Sequence, residues 1–258
     1  KGAAVLGRDD YLRSAQKAAE FAMEKLWDGQ RLGRAWRMGK VRYDGYLDDY
    51  AFMIAGLLDL YEVSQNEKWL GAAVELQAVL DRDFKDSAGG YFFVAESKDN
   101  LLARDKPAYD GAIPAGNSVE VLNLLRLSLL TGLSEYDTQA RRAISSFGQT
   151  LVRGGRSMPK MLAALDFLLD EALQIIVVRP DSAPDKGVLS HVIQERFLPN
   201  RVLLYAKDSE IAELSRKVEL VAGKKSVGGK PTAYVCRGTT CSLPLNTASG
   251  LKKELDKV

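Results

Sequence analysis

Asp48 and Asp49 stand side by side at the head of a stretch with helical periodicity. Carboxylates at a helix start that face a cavity can serve as general acid and base, the pairing that glycosidases use. Neighbouring helical residues point about 100° apart, so at most one of the two serves a given site. A structural role competes with this, because acidic residues in a first turn answer the helix dipole. Asp110 lies in a segment with Gly111, Pro114 and Gly116, ahead of the most apolar stretch of the chain. It is expected within about 10 Å of Asp48 or Asp49, the range of inverting glycosidases. Alternatively, Asp110-Gly111 is an ordinary turn pair. Asn117 and Glu120 have the spacing of a helix-capping box, and capping is their expected role. Ser118 has neither a neighbouring His nor the glycines of a nucleophile elbow, so a hydrolase nucleophile is a poor reading of it. Asn117 and Ser118 therefore count only as substrate-binding candidates.

Trp36, Tyr43, Tyr46, Tyr91, Phe92, Phe93 and Tyr109 gather in two long segments, Asp28 to Tyr46 and Asp86 to Gly116, and Tyr50 follows the first of these by one turn. Rings around a polar cleft suit sugar stacking. The same rings would also anchor loops as small hydrophobic clusters. His191 is the single histidine, so a zinc site is not expected. Cys236 and Cys241 are separated by Arg237-Gly238-Thr239-Thr240, which is not the spacing of a thioredoxin motif. A turn between them admits a redox or clip role. Because one end sits in a strand and restricts the Cβ vectors, two free thiols are expected. The Gly223 to Pro231 segment lacks the spacing of a phosphate loop and is read as a flexible basic loop.

The elements that position these residues change character along the chain. Up to about Glu171 the pattern is helical: Tyr11, Ala15, Ala18, Ala22 and Leu26; Leu47, Tyr50, Ile54, Leu57 and Tyr61; Trp69, Ala73, Leu76, Leu80 and Phe84. The stretch from Asn117 to about Leu130 is apolar nearly all round and should be the most buried helix. Tyr136 to Leu151 forms one further stripe, and Met158 to Leu169 the last. Leu57-Leu58-Asp59-Leu60 sits like Leu124-Leu125-Arg126-Leu127, which suggests a repeated helical hairpin. After Leu173 short β-branched runs take over: Ile175 to Val178, Val202 to Tyr205 and Thr232 to Cys236, with Pro184 opening a loop into a helix between the first two. The β-α-β order predicts a mainly parallel sheet. A lobe this small is expected to lean on the helices to cover both faces of that sheet. The chain is thus read as mainly α, with a helical-hairpin domain over 1–173 and a small α/β lobe over 174–258.

Composition limits the function classes. The 258 residues carry 36 basic and 34 acidic side chains, a net charge of +2, with 46% hydrophobic and 27% charged residues. That balance argues against a nucleic-acid or membrane-surface protein. With two cysteines, a disulfide-stapled secreted scaffold is not expected and the cytoplasm is. The chain opens at Lys1 without Met, which reads as a cut or processed end.

Several segments taken in order carry a resemblance: Leu47-Asp48-Asp49-Tyr50-Ala51-Phe52 with Gly56-Leu57-Leu58-Asp59-Leu60-Tyr61-Glu62; Gly89-Gly90-Tyr91-Phe92; Asp110-Gly111-Ala112 with Gly116-Asn117-Ser118; and Thr232 to Cys236 ending at Cys241. Together they resemble the C-terminal half of the spermatogenesis-associated protein 20 family, called thioredoxin-domain-containing proteins in bacteria. The resemblance implies a thioredoxin-like domain ahead of a six-hairpin (α/α) toroid of the glycosidase and sugar-epimerase kind, of which about three hairpins are present. It makes a carbohydrate ligand, with Asp48, Asp49 and Asp110 as catalytic candidates, the first functional reading. A scaffold that holds a thioredoxin-like domain is the second, and a redox accessory role through Cys236 and Cys241 the third. No cofactor is implied.

Overall fold

The computed structural model describes residues 1–96, 103–183 and 187–257; the expected loop at Pro184 lies outside them. Helices α1 (Gly2–Leu6) and α2 (Asp9–Lys25) are followed by a β-ribbon, β1 (Gly33–Arg37) and β2 (Lys40–Asp44), in a segment expected to be loop. The turn explains the miss. Met38 and Gly39 both have positive φ, 51° and 77°, as a two-residue hairpin turn requires. The usual Asn or Asp that announces such a turn is replaced here by Met.

Helix α3 (Leu47–Ser64) and helix α4 (Glu67–Asp83) form a hairpin that packs along its length. Leu47, Tyr50, Ala51, Ile54, Leu57, Leu58 and Tyr61 recur at helical spacing and are all buried, each large side chain stabilising by about 1.5–3 kcal/mol. The Tyr50 ring tilts against Phe84 at 5.3 Å. Gln65 ends α3 in the left-handed conformation, and the Asn66 side chain caps α4 by accepting from the Lys68 amide at 3.1 Å. Helix α5 (Gly116–Thr131) is enclosed nearly all round: Val119, Val121, Leu124, Leu127 and Leu130 are buried, and so are Asn117, Ser118, Glu120 and Asn123. The stripe from Tyr136 to Leu151 is two helices, α6 (Ser134–Ser146) and α7 (Gly148–Gly154), with Phe147 between them outside helical geometry. Helix α8 (Pro159–Leu169) opens with proline, which has no amide to leave unpaired there.

The strands are β3 (Leu173–Arg179), β4 (Arg201–Lys207), β5 (Thr232–Arg237) and β6 (Thr240–Cys241), with α9 (Val188–Gln194), α10 (Ile211–Leu214) and α11 (Ala248–Leu255) around them. The sheet order is β4-β3-β5-β6. β3 and β4 are parallel, as the β-α-β order expects, but β5 pairs antiparallel with β3 and β6 antiparallel with β5. The sheet is therefore mixed rather than mainly parallel. The segment after β4 stays at the end where β4 finishes and enters β5 there, so β5 must run the other way.

Both faces of this sheet are covered from within the lobe. Ile175, Val177, Leu203 and Val235 pack with Val192, Ile193, Leu251 and Leu255 of α9 and α11. Ile176, Val178, Leu204 and Tyr234 pack with Val218 and Val221 of the β4–β5 connection.

The described residues fall into two compact units, Asp9–Leu125 with Glu135–Leu165, and Lys1–Arg8 with Arg126–Ser134 and Asp166–Val258. The chain is mainly helical, and among the described residues no helix is long and apolar enough to cross a membrane.

Cys236 and Cys241 form a disulfide, which corrects the expectation of free thiols. The two residues face each other directly in the β5–β6 register, with Cα atoms 4.0 Å apart. The hairpin thus brings both Cβ atoms to one face instead of holding them apart. Cys236 is buried and Cys241 half-buried. Thiol titration of unfolded, unreduced protein is expected to find none, and two after reduction. Replacing both by serine should lower stability by about 2 kcal/mol, the loop-closure entropy of so short a ring.

Candidate functional site

The three acidic candidates converge on helix starts. Asp49 Oδ2 accepts from the Tyr46 amide at 2.8 Å, while the Asp49 amide donates to the Tyr46 carbonyl at 3.0 Å. This is a reciprocal cap on α3. Arg34 Nη1 donates to the same Asp49 oxygen at 3.0 Å. Asp48 Oδ1 accepts from the Gly116 amide at 2.9 Å, and Asp110 Oδ1 accepts from the adjacent Ala115 amide at 2.9 Å. Asp110 Oδ2 takes the Lys160 amide of α8 at 2.7 Å. Two 2.9 Å bonds and one residue's span of roughly 3.5 Å place the Asp48 and Asp110 oxygens within about 10 Å of each other.

Glycine is required at 116 by this contact. A Cβ there would lie 2.4 Å from Asp48 Oδ1 and 2.7 Å from Leu47 Cγ. Burial raises the Asp48 carboxyl above the usual aspartate range, and Asp49 pushes the same way; the Gly116 amide and Arg34 oppose them.

Asn117 does not cap α5. It lies inside the first turn, where a cap cannot be, because a capping residue sits just outside the helix. Its side chain instead clasps neighbouring chain: Oδ1 accepts from the Tyr91 amide at 2.8 Å, and Nδ2 donates to the Tyr91 and Pro107 carbonyls at 2.9 Å each. Glu120 faces inward as well. Asn123 Nδ2 donates to Glu120 Oε2 at 3.0 Å and to the Ala51 carbonyl at 2.8 Å.

The aromatic candidates divide by exposure. Tyr50 is buried, and its hydroxyl accepts from the Leu32 amide at 2.7 Å. Tyr91, Asn117 and Ser118 are buried too. Tyr46 stacks on Phe93 at 4.8 Å, and the Arg34 guanidinium lies over the Tyr46 ring at 4.8 Å. Phe92 lies under Arg104 at 4.1 Å. Tyr43 and Tyr109 are exposed, and Trp36 partly so. The two aromatic segments do meet, through the Tyr46–Phe93 pair and the Leu47 amide, which donates to the Phe93 carbonyl at 3.0 Å.

A buried polar cluster went unnoticed in the sequence. Tyr91 Oη donates to Asp81 Oδ1 at 2.6 Å. Gln77 Nε2 reaches both Asp81 Oδ1 and Tyr91 Oη at 3.2 Å. Gln139 Nε2 donates to Asp81 Oδ1 at 2.8 Å and to Tyr91 Oη at 2.9 Å. Beside them Glu120 is fully buried, and its Oε1 meets no partner, like Gln77 Oε1. Burial pushes the Glu120 carboxyl up to about 8, with Asp81 adding to the rise, while Asn123 and Gln77 work against it. Glu120 is therefore protonated at neutral pH, and its proton turns one orphan acceptor into a donor within reach of Gln77. The available signal was Gln77 and Asp81 at helical spacing between Ala73, Leu76 and Leu80.

These features define a mainly helical protein whose acidic residues tie helix starts together, followed by a mixed-sheet α/β lobe. No protein-family profile matches the chain. It is 34% identical to human spermatogenesis-associated protein 20 over 98% of its own length and 34% of that protein's. The rat and mouse proteins of the same name are 33% and 32% identical over 97% and 98% of the chain. Across the stretch that it matches, the chain belongs to the spermatogenesis-associated protein 20 family. It spans about a third of the length of these curated relatives, not the half expected from the sequence.

Glu120 makes the fold sensitive to pH. Its ordinary value is 4.5, so between pH 4.5 and about 8 the folded chain holds a proton that the unfolded chain releases. This contribution is complete below pH 4.5 and is lost as pH rises through about 8. Glu120→Gln keeps the shape, needs no proton and offers an amide to Gln77. It should flatten the pH dependence of thermal unfolding and, at about pH 8.5, raise Tm by several degrees, since roughly 1 kcal/mol corresponds to a few degrees at this size.

Proposed function

We propose that this chain acts as a non-catalytic helical platform that supports other parts of a longer protein, a thioredoxin-like domain among them. One observation carries the reading: Asp48, Asp49 and Asp110 each hold backbone amides at the starts of α3, α5 and α8. A carboxylate whose oxygens accept amide bonds is fixed in place and kept from moving protons. In this reading the α3–α4 hairpin is one of the repeated hairpins of an incomplete (α/α) toroid.

A specific feature favours carbohydrate processing as the second reading. Asp48 holds its proton more tightly than an ordinary aspartate and lies within about 10 Å of Asp110. A carboxyl raised by burial that faces a second carboxylate at that separation is what an acid and base pair needs. Tyr109 and Trp36 would then be the exposed rings that receive the sugar.

The substitutions Asp48→Asn and Asp110→Asn separate the two. Under the platform reading each lowers stability, Asp110→Asn by about 1.5–3 kcal/mol because two charge-assisted bonds weaken, and a glycan array finds no ligand for the wild-type chain. Sugar binding or hydrolysis that Asp48→Asn abolishes at unchanged Tm would overturn the platform reading.

A further inference from the structure

The β1–β2 ribbon presents cations in an order that its register makes exact in direction though not in reach. Arg37 lies opposite Lys40, and Ala35 opposite Arg42. Residues opposite each other, and residues two apart along a strand, share a face. Arg37, Lys40 and Arg42 therefore project from one face, while Trp36 and Val41 project from the other. Like charges directly opposite one another destabilise a ribbon. Elsewhere in this segment the cations are matched: Arg34 with Asp49 at 3.0 Å, Arg31 with Asp44 at 3.6 Å. Among the described residues Arg37, Lys40 and Arg42 meet no carboxylate.

The edge beside them is open. All five residues of β2 are exposed, and its backbone bonds only to β1 among the described residues. The N–H and C=O groups that point away from β1 thus form an unoccupied strand edge. The extended part of this edge runs from Lys40 to Arg42, bounded by two large exposed side chains in positive-φ backbone, Met38 in the turn at 85% exposure and Tyr43 within β2 at 78%.

We propose that this edge receives an extended acidic polypeptide segment, which pairs along β2 and sets its carboxylates against Arg37, Lys40 and Arg42. The free edge selects a peptide over a nucleic acid, since a sugar-phosphate chain has no alternating amides and carbonyls to offer. The spacing agrees: residues two apart in an extended chain are roughly 6.5–7 Å apart, so alternate acidic residues match Lys40 and Arg42. Main-chain bonds then supply affinity and the charges supply selectivity. Arg37, Lys40 and Arg42 make no bond to Asp48, Asp49 or Asp110 among the described residues, so this docking holds whichever reading of those carboxylates is right.

The experiment is fluorescence anisotropy with a labelled peptide that alternates glutamate and threonine. Three comparisons accompany it: the same peptide N-methylated at alternate amides, its lysine counterpart, and a single-stranded oligonucleotide of equal charge. The wild-type chain should bind the acidic peptide, and the combined Arg37→Glu, Lys40→Glu, Arg42→Glu variant should bind it at least about tenfold more weakly with unchanged circular dichroism. N-methylation should weaken binding to a similar degree. Binding of the lysine peptide as tight as the acidic one, an oligonucleotide that binds as tightly, indifference to N-methylation or charge reversal, or no binding by the wild-type chain would each overturn the proposal.

Discussion

The first turn of α5 has amides that must find acceptors away from water. A helix leaves its first N–H groups without partners, and burial makes that costly, about 1–3 kcal/mol for each group left unmade. Here Asp110 and Asp48 supply the acceptors through Ala115 and Gly116. Much of the helical unit follows from this. Asp48 must lie at the head of α3 to reach across, Gly116 must lack a side chain, and Asp110 must also hold the Lys160 amide of α8. Asn117 extends the arrangement by fixing the Tyr91 and Pro107 backbone. Four separated stretches of sequence are held by short polar side chains at one helix start.

Further along α5 the polar groups are enclosed rather than clasped. Glu120 sits next to Gln77, Asp81 and Tyr91 with one oxygen unpartnered, and desolvation outweighs its hydrogen bond from Asn123. A neutral carboxyl is the state that suits such a place. The carboxyl group with the largest rise in this unit is therefore one with no route to solvent, while Asp48, nearer the surface, rises less. Chemistry on an outside ligand needs the opposite order. This is the physical ground for reading the acidic residues as architecture.

Exposed polar structure gathers elsewhere, on a short ribbon held by a turn with two positive-φ residues. The ribbon shows what local chemistry can conceal. Met38 fills a position that glycine or asparagine would normally mark, so the segment looks like loop. The C-terminal sheet is a comparable case. Its strands were legible as β-branched runs, but the direction of β5 depends on the path of the chain between Asp208 and Pro231, which no periodicity records. The cysteines failed to read as a disulfide for the same reason, since they face each other only once β5 and β6 pair in that register.

The sequence by itself determined the mainly helical character, the stretches that become α3, α4 and α5, the change to strands after Leu173, and the residues that stand at helix starts. Those follow from the spacing of apolar side chains along one helix or strand, a local property written in consecutive residues. Tertiary structure alone decided who meets whom: that Asp48 reaches Gly116 across 68 residues, that Asn117 binds Tyr91 instead of capping its own helix, that Glu120 is sealed beside Gln77, and that Cys236 closes on Cys241. Each is a pairing of groups whose partner is chosen by packing, and the cost of an unmade buried bond depends on that packing and not on sequence spacing.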